Sequence, residues 1–151
     1  MRFTHPRALR FSLTAAAAMT ALLTACTGPT ELIEIERSNE TTASGVQTHD
    51  LVLGIGKVVQ AGDFVTVDYI ARLTDRTVLD STYDRGKPVR FQVGAAPVEG
   101  WNEGLAGMRV GGKRSLVIPA HLAFGEEGIP GRVPPGATLV YEMELLSAQG
   151  E

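Results

Sequence analysis

Hydrophobic and polar residues alternate in three stretches of this chain. In DFVTVDYIARL, Val65, Val67, Tyr69, Ala71 and Leu73 fall on one side of an extended strand. In RSLVIP, Leu116 and Ile118 share a face, and in ATLVYEMELL, Leu139, Tyr141, Met143 and Leu145 do so while Glu142 and Glu144 point the other way. LTDRTVLD reads as a turn between strands and VRFQVG as a further short strand. One segment changes period: Val98, Trp101, Leu105 and Ala106 lie close to i, i+3, i+7, i+8, one face of a helix over 98–106, and Gly107, Gly111 and Gly112 end it. The pattern from Gly45 to about Ala148 therefore predicts a single α+β domain of about five strands and one short helix. Its core is the apolar face of the sheet, closed by that helix. Trp101, the only Trp, sits on the helix face, so it is either ordinary core or the floor of a site.

The start of the chain obeys another logic. Arg2, Arg7 and Arg10 precede an uncharged run, Phe11 to Ala25, of 15 residues. A membrane span needs about 20 apolar residues, and the shorter run with basic flanks fits an export signal. Leu23-Thr24-Ala25-Cys26 resembles a bacterial lipobox, in which the Cys is lipidated and becomes the first mature residue; Cys26 is the only Cys. The expected organisation is a lipoprotein signal peptide at 1–25, a lipidated N-terminus and tether at 26–44, and a domain at 45–151. An alternative for 27–44 is a helix packed on the domain through Leu32, Ile33 and Ile35. Thr27, rather than Asp, after Cys26 resembles the pattern sorted to the outer membrane, facing the periplasm; in a single-membrane host the domain would stand on the outer face of the plasma membrane.

Charge and side-chain chemistry narrow the function. Without residues 1–25, 11 basic side chains stand against 17 acidic ones, a net charge of −6, which argues against a nucleic-acid or anionic-lipid footprint, so that the membrane contact expected is the lipid on Cys26 and not a basic surface. Gly107 to Arg114 nearly matches a phosphate-binding loop, but Arg114 stands where a hydroxyl is needed and the glycines follow a helix and open a strand. His49 and His121 have no Cys or carboxylate at ligand spacing, so no metal or cofactor is expected. Glu126, Glu127, Glu142 and Glu144 read as solvated charges, and nothing resembles a nucleophile elbow.

What remains is a set of aromatic and apolar residues around Gly/Pro-rich loops, in VDYIARLTDRTVLDSTYDRGKPVRFQVG, PVEGWNEGLAGMRVGGKRSLVIP and LAFGEEGIPGRVPPGATLVYEMELL. With these three motifs in this order, Gly45–Leu146 resembles the FKBP-type peptidyl-prolyl cis–trans isomerases. The resemblance implies an antiparallel half-barrel of five or six strands wrapped around one short helix, with an apolar cavity between them and Trp101 as its floor. It also implies that Tyr69, Phe91, Trp101 and Tyr141 are aromatic walls, Asp80 the acidic residue at the mouth and Arg85 its basic partner. Val98 matches the residue whose backbone N–H receives a ligand carbonyl. Leu79, Val89, Ile129 and Val133 complete the substrate-contacting set. Proline-containing clients, a macrolide ligand and a monomeric state follow from the same likeness, with the membrane reached through the lipid on Cys26.

Three positions depart from the family pattern. Phe124, a further catalytic position, stands where Tyr is usual, and Leu79 and Val89 stand where many members have Phe. The helix entrance GAAPVEGW is one residue shorter than the common spacing. Three readings stay open: an isomerase assisting the folding of exported proteins, a module that binds proline segments with little turnover, and a lipid-anchored β-domain scaffold in which Trp101 is plain core.

Overall fold

A computed structural model describes residues 39–150. The export signal, Cys26 and most of the expected tether lie outside the described residues. Seven strands, β1 (Asn39–Thr41), β2 (Gln47–Val52), β3 (Phe64–Leu73), β4 (Val78–Ser81), β5 (Val89–Gln92), β6 (Lys113–Ile118) and β7 (Leu139–Gln149), form one open antiparallel sheet. Their order is β1-β2-β6-β7-β3-β4, and β5 shares with β4 the free edge of β3. Two short helices interrupt them, α1 (Thr82–Arg85) after β4 and α2 (Glu99–Gly104) after β5. The α+β class and the antiparallel sheet agree with the sequence reading.

The alternation holds along β3, β6 and β7, except that Leu73 at the end of β3 is only half-buried. Val65, Val67, Tyr69 and Ala71 of β3 are buried, as are Leu116 and Ile118 of β6 and Leu139, Tyr141, Met143 and Leu145 of β7. The opposite face is polar, but its carboxylates are not simply solvated as expected: Glu142 pairs with Arg72 across the sheet, and Glu144 with Lys113 at 3.0 Å.

Two strands and a helical turn exceed the expected count. β1 lies within the segment read as tether, so the sheet begins at Asn39, where Asn39 pairs with His49. The stretch read as a turn, LTDRTVLD, ends in β4. α1 is capped at one end by the Ser81 hydroxyl, which accepts from the Asp84 N–H (3.3 Å), and closed at the other by Gly86 at φ 61°.

α2 is shorter than the predicted 98–106 because Val98 is extended and acts as its N-cap. The helix lies close on β6: a Cβ at Gly100 would stand 2.5 Å from Ile118 Cγ2, and one at Gly104 2.6 Å from Leu116 Cδ1. Glycine there is what lets helix and sheet approach. The last turn is tied down from β6. Arg114 Nη1 donates to the carbonyls of Gly104 (2.9 Å) and Ala106 (3.1 Å), satisfying acceptors that a helix end leaves open. Its Nε and Nη2 donate to both carboxylate oxygens of Asp50 on β2, at 2.5 and 3.0 Å. Arg114 and Asp50 are buried, so each charge relies on the other.

Replacing Arg114 with Met should therefore cost about 3–5 kcal/mol, since Asp50 loses its guanidinium partner in the interior and the Gly104 and Ala106 carbonyls lose their donor. The double variant Arg114→Met, Asp50→Leu should recover most of that loss but not all, because the Gly104 and Ala106 carbonyls still lack a donor. Urea denaturation of the three proteins, followed by Trp101 fluorescence, measures both steps.

Candidate functional site

Trp101 lies in the middle of α2, 2% exposed, where three strands bring rings to it. Tyr69 from β3 stands 5.1 Å away between centroids, Phe91 from β5 5.4 Å, and Tyr141 from β7 5.3 Å at 87°, an edge-to-face contact. Such pairs contribute about 0.5–1.5 kcal/mol each beyond their burial. The indole Nε1–H is buried and has no hydrogen-bond partner among the described residues.

Above this floor is a cavity of about 180 Å³. It is lined by Tyr69, Leu79, Asp80, Val89, Val98, Trp101, Phe124, Ile129, Val133 and Tyr141 of the expected set, and by Ala71, Pro97 and Arg132 besides. Two expected residues do not line it. Phe91 contacts the Trp101 ring without lining the cavity, while Arg85 reaches the site only through Asp80 and Tyr69. Ala71 was legible, because it shares a strand face with Tyr69. Pro97 and Arg132 lie on loops, where no periodicity marks which way a side chain goes.

The loops that form the walls are held by their own bonds. Asn102 Oδ1, one residue after Trp101, accepts from the Gly94 (2.8 Å) and Ala96 (3.2 Å) N–H groups and fixes the short entrance to Val98. Ile129 and Val133 bond each other in both directions, N–H to carbonyl, at 2.9 and 2.8 Å. That closes a tight turn and aligns two apolar walls. Phe124 follows a 3-10 turn, Ala120–Leu122, and is fixed by the Gly125 N–H to Ala120 carbonyl bond of 2.7 Å.

Polarity is concentrated at one rim. The Tyr69 hydroxyl donates to Asp80 Oδ2 at 2.6 Å, Arg85 Nη1 donates to Asp80 Oδ1, and Arg85 Nη2 donates to the Tyr69 hydroxyl at 3.3 Å. α1 makes this possible by turning the chain so that Arg85 returns over Asp80. Burial would raise the Asp80 carboxyl, but the bonds from Tyr69 and Arg85 outweigh it and hold the group below its ordinary value. Burial, then the bond to Asp80, push the Tyr69 phenol up, and burial pushes up Tyr141 as well. Tyr141 lines the cavity, and its hydroxyl has no hydrogen-bond partner among the described residues. At neutral pH the site thus holds one carboxylate, two guanidiniums (Arg85 at the rim and Arg132 on the lining) and two neutral phenols. It has no nucleophile paired to a base, and what it offers is apolar enclosure with a few fixed hydrogen-bonding groups.

Residues 56–146 match the family model for FKBP-type peptidyl-prolyl cis–trans isomerases. The chain belongs to this family. Among curated relatives, the peptidyl-prolyl cis-trans isomerase FKBP15-1 of Arabidopsis thaliana is 46% identical over 91 residues, a match covering 60% of this chain and 60% of the relative. The FK506-binding protein of Streptomyces anulatus is 43% identical over 101 residues, covering 65% of this chain and 82% of the relative. In three dimensions, FkpA from Escherichia coli superposes with a TM-score of 0.69 at 36% identity, over 77% of this chain and 54% of that one. This chain thus spans only part of the length of the plant relative and of FkpA.

The Asp80 cluster has a pH signature. A carboxyl whose folded value lies below its unfolded value of about 3.8 contributes stability that is present above that value and lost as pH falls through the folded one. The stability gap between wild type and Asp80→Asn should be constant from about pH 5 to 8 and narrow steadily below about pH 4. Urea unfolding across that range measures it.

Proposed function

We propose that this FKBP-type chain is an active peptidyl-prolyl cis–trans isomerase, lipidated at Cys26 and working on exported polypeptides at the cell envelope, at the outer membrane facing the periplasm or on the outer face of a plasma membrane. The observation that carries the catalytic reading is the largely apolar cavity over Trp101, with the hydrogen-bonded Tyr69–Asp80–Arg85 cluster at its rim.

The reaction needs little else. An X–Pro amide resists rotation by about 18–20 kcal/mol because twisting it breaks resonance. The twisted amide has less charge separation than the planar one, so moving it from water to an apolar cavity favours the transition state over the ground state. The prolyl ring rests on Trp101 between Tyr69 and Tyr141. The Val98 N–H takes a carbonyl of the bound segment, and the Asp80–Arg85–Tyr69 cluster holds the rim. Phe91 acts through Trp101 as a positioning residue, and Leu79, Val89, Ile129 and Val133 exclude water. A macrolide of suitable shape would occupy the same cavity.

Phe124 brings no hydroxyl to the wall where the family usually has one. In this reading Tyr141, which also lines the cavity, supplies the donor, since its phenol is neutral and unpartnered among the described residues. The second reading, a proline-segment binder with negligible turnover, is favoured only by Phe124 and the reduced aromatic edges at Leu79 and Val89.

A protease-free cis-to-trans assay on a Leu-Pro peptide separates the two. Wild type should accelerate isomerisation, and Tyr141→Phe should lower kcat/KM about fivefold, the effect of one net hydrogen bond of ~1 kcal/mol. Phe124→Tyr placed in that variant should restore most of the loss. A silent wild type that still changes Trp101 fluorescence on adding peptide makes the protein a binding module.

A further inference from the structure

The described domain leaves one apolar segment uncovered. Leu51, Val52, Leu53 and Ile55 are 44, 48, 46 and 99% exposed, in a run where only Gly54 intervenes. Four large apolar side chains within five residues are unlike the scattered exposed hydrophobics of an ordinary surface. Nor is the segment loose. The Gly56 N–H donates to the Val110 carbonyl at 3.0 Å, Arg109 Nη1 donates to the Gly56 carbonyl at 3.3 Å, and a Cβ at Gly54 would stand 2.4 Å from the Arg109 carbonyl oxygen. The backbone is packed against 109–112 while the side chains project outward. Arg109, exposed beside them, has no carboxylate partner among the described residues.

The place of this segment in the fold is informative. β1 and β2 are antiparallel, with Asn39 opposite His49 and Thr41 opposite Gln47. The N-terminal end of β1 therefore lies beside the C-terminal end of β2, and the chain enters the sheet on the side where Leu51–Ile55 emerges. Twelve residues, 27–38, separate Cys26 from Asn39, a span of at most about 45 Å when fully extended. A lipid on Cys26 keeps that entrance close to the bilayer, where even weak apolar contact is favoured by high effective concentration.

The cavity lies at the other end. Val52 pairs with Lys113, the first residue of β6, whereas Phe124, Ile129, Arg132 and Val133 come from the loop that follows Ile118, its last residue. Five residue steps along β6 separate the two ends by about 17 Å.

We propose that Leu51, Val52, Leu53 and Ile55 form a bilayer-contacting tip. It seats the lipid-anchored domain with Arg109 at the level of the lipid phosphates and the cavity loop turned away from the membrane, toward clients. This rests on the lipoprotein reading of Cys26. The tip is small and apolar, and of the cations beside it Lys57 and Lys113 are paired with Asp63 and Glu144 while Arg109 has no carboxylate partner among the described residues. This is the form in which aliphatic side chains enter the acyl boundary while an arginine stays at the headgroups.

Cys26 is the only native thiol, so a lipidated chain carrying Ile55→Cys has one free thiol, as does one carrying Glu127→Cys on the cavity loop. Each is reconstituted in phosphatidylethanolamine–phosphatidylglycerol vesicles and treated with a membrane-impermeant maleimide, after the mass of the Cys26 peptide has been measured. The expected result is a lipid-modified Cys26, labelling at position 55 slowed about tenfold or more relative to the Cys26→Ser chain free in buffer, and labelling at position 127 unchanged. A lipid-modified Cys26 with both thiols labelled at their free rates overturns the tip and leaves the anchor standing. An unmodified Cys26, with the chain remaining in the aqueous phase, overturns the anchor and the seating with it. Slow labelling at 55 in the lipid-free chain that deepens with protein concentration assigns the tip to a second copy, and also overturns the proposal.

Discussion

The buried guanidinium of Arg114 is the constraint on which the site depends. α2 has six residues, too few to persist as a helix without tertiary support. Arg114 provides that support from the sheet by joining the helix's last carbonyls on β6's side to Asp50 on β2. The two glycines under the helix bring it into contact with Leu116 and Ile118, and Asn102 fastens the loop that leads into it. Trp101 is thereby fixed at both ends of its own helix before any ring touches it. A buried ion pair is often neutral for stability compared with apolar replacements. Its value here is positional, because an aliphatic pair would fill the same space without giving two helix-end carbonyls a donor.

The alternative posed by Trp101, core or site, resolves into both. The ring is almost wholly buried and ranks with the core residues, yet its exposed remnant borders the cavity. Phe91, Tyr69 and Tyr141 all contact it, and of the three only Tyr69 and Tyr141 also line the cavity. Rings held at steep angles leave a space that none of them can fill. The strands that carry them are bonded on both edges in the case of β3 and β7, so the space cannot collapse by sliding one strand against another.

Much of this was legible in the sequence, for physical reasons. A strand buried on one face announces its register through period-2 alternation, which is why β3, β6 and β7 and the inward set Tyr69, Ala71, Leu116 and Tyr141 could be read directly. β1 could not: Asn39-Glu40-Thr41 is exposed at an edge and has no apolar face to reveal it. α1 is four residues long, below any helical period, although Ser81 and Gly86 are the capping residues such a turn needs. The family motifs carried Asp80 and Arg85 to the rim, but only the geometry of α1 explains how residues five apart meet. Phe91 shows the limit of reading by likeness: strand parity and motif both turn it toward Trp101, and neither says on which side of the indole the empty space lies.

The electrostatics of the rim follow from the same separation of roles. A carboxylate beside a dry cavity would draw water into it if it were left to find its own partners. Asp80 is instead saturated by Tyr69, Arg85 and the Ser81 N–H, so its charge is satisfied at the edge and the interior stays apolar. Among the described residues, two side-chain groups of the site without a hydrogen-bond partner are the Trp101 indole N–H and the Tyr141 hydroxyl. An unpaired buried donor costs about 1–3 kcal/mol, which falls on the Trp101 N–H; the Tyr141 hydroxyl is not fully buried, and a fold that needed that ring only for packing could have used Phe at position 141. Retaining a polar tip on the cavity wall is intelligible where something polar, such as a peptide carbonyl, is to arrive there. The Phe at 124 then marks where the hydroxyl stands on this cavity's walls, rather than the loss of one.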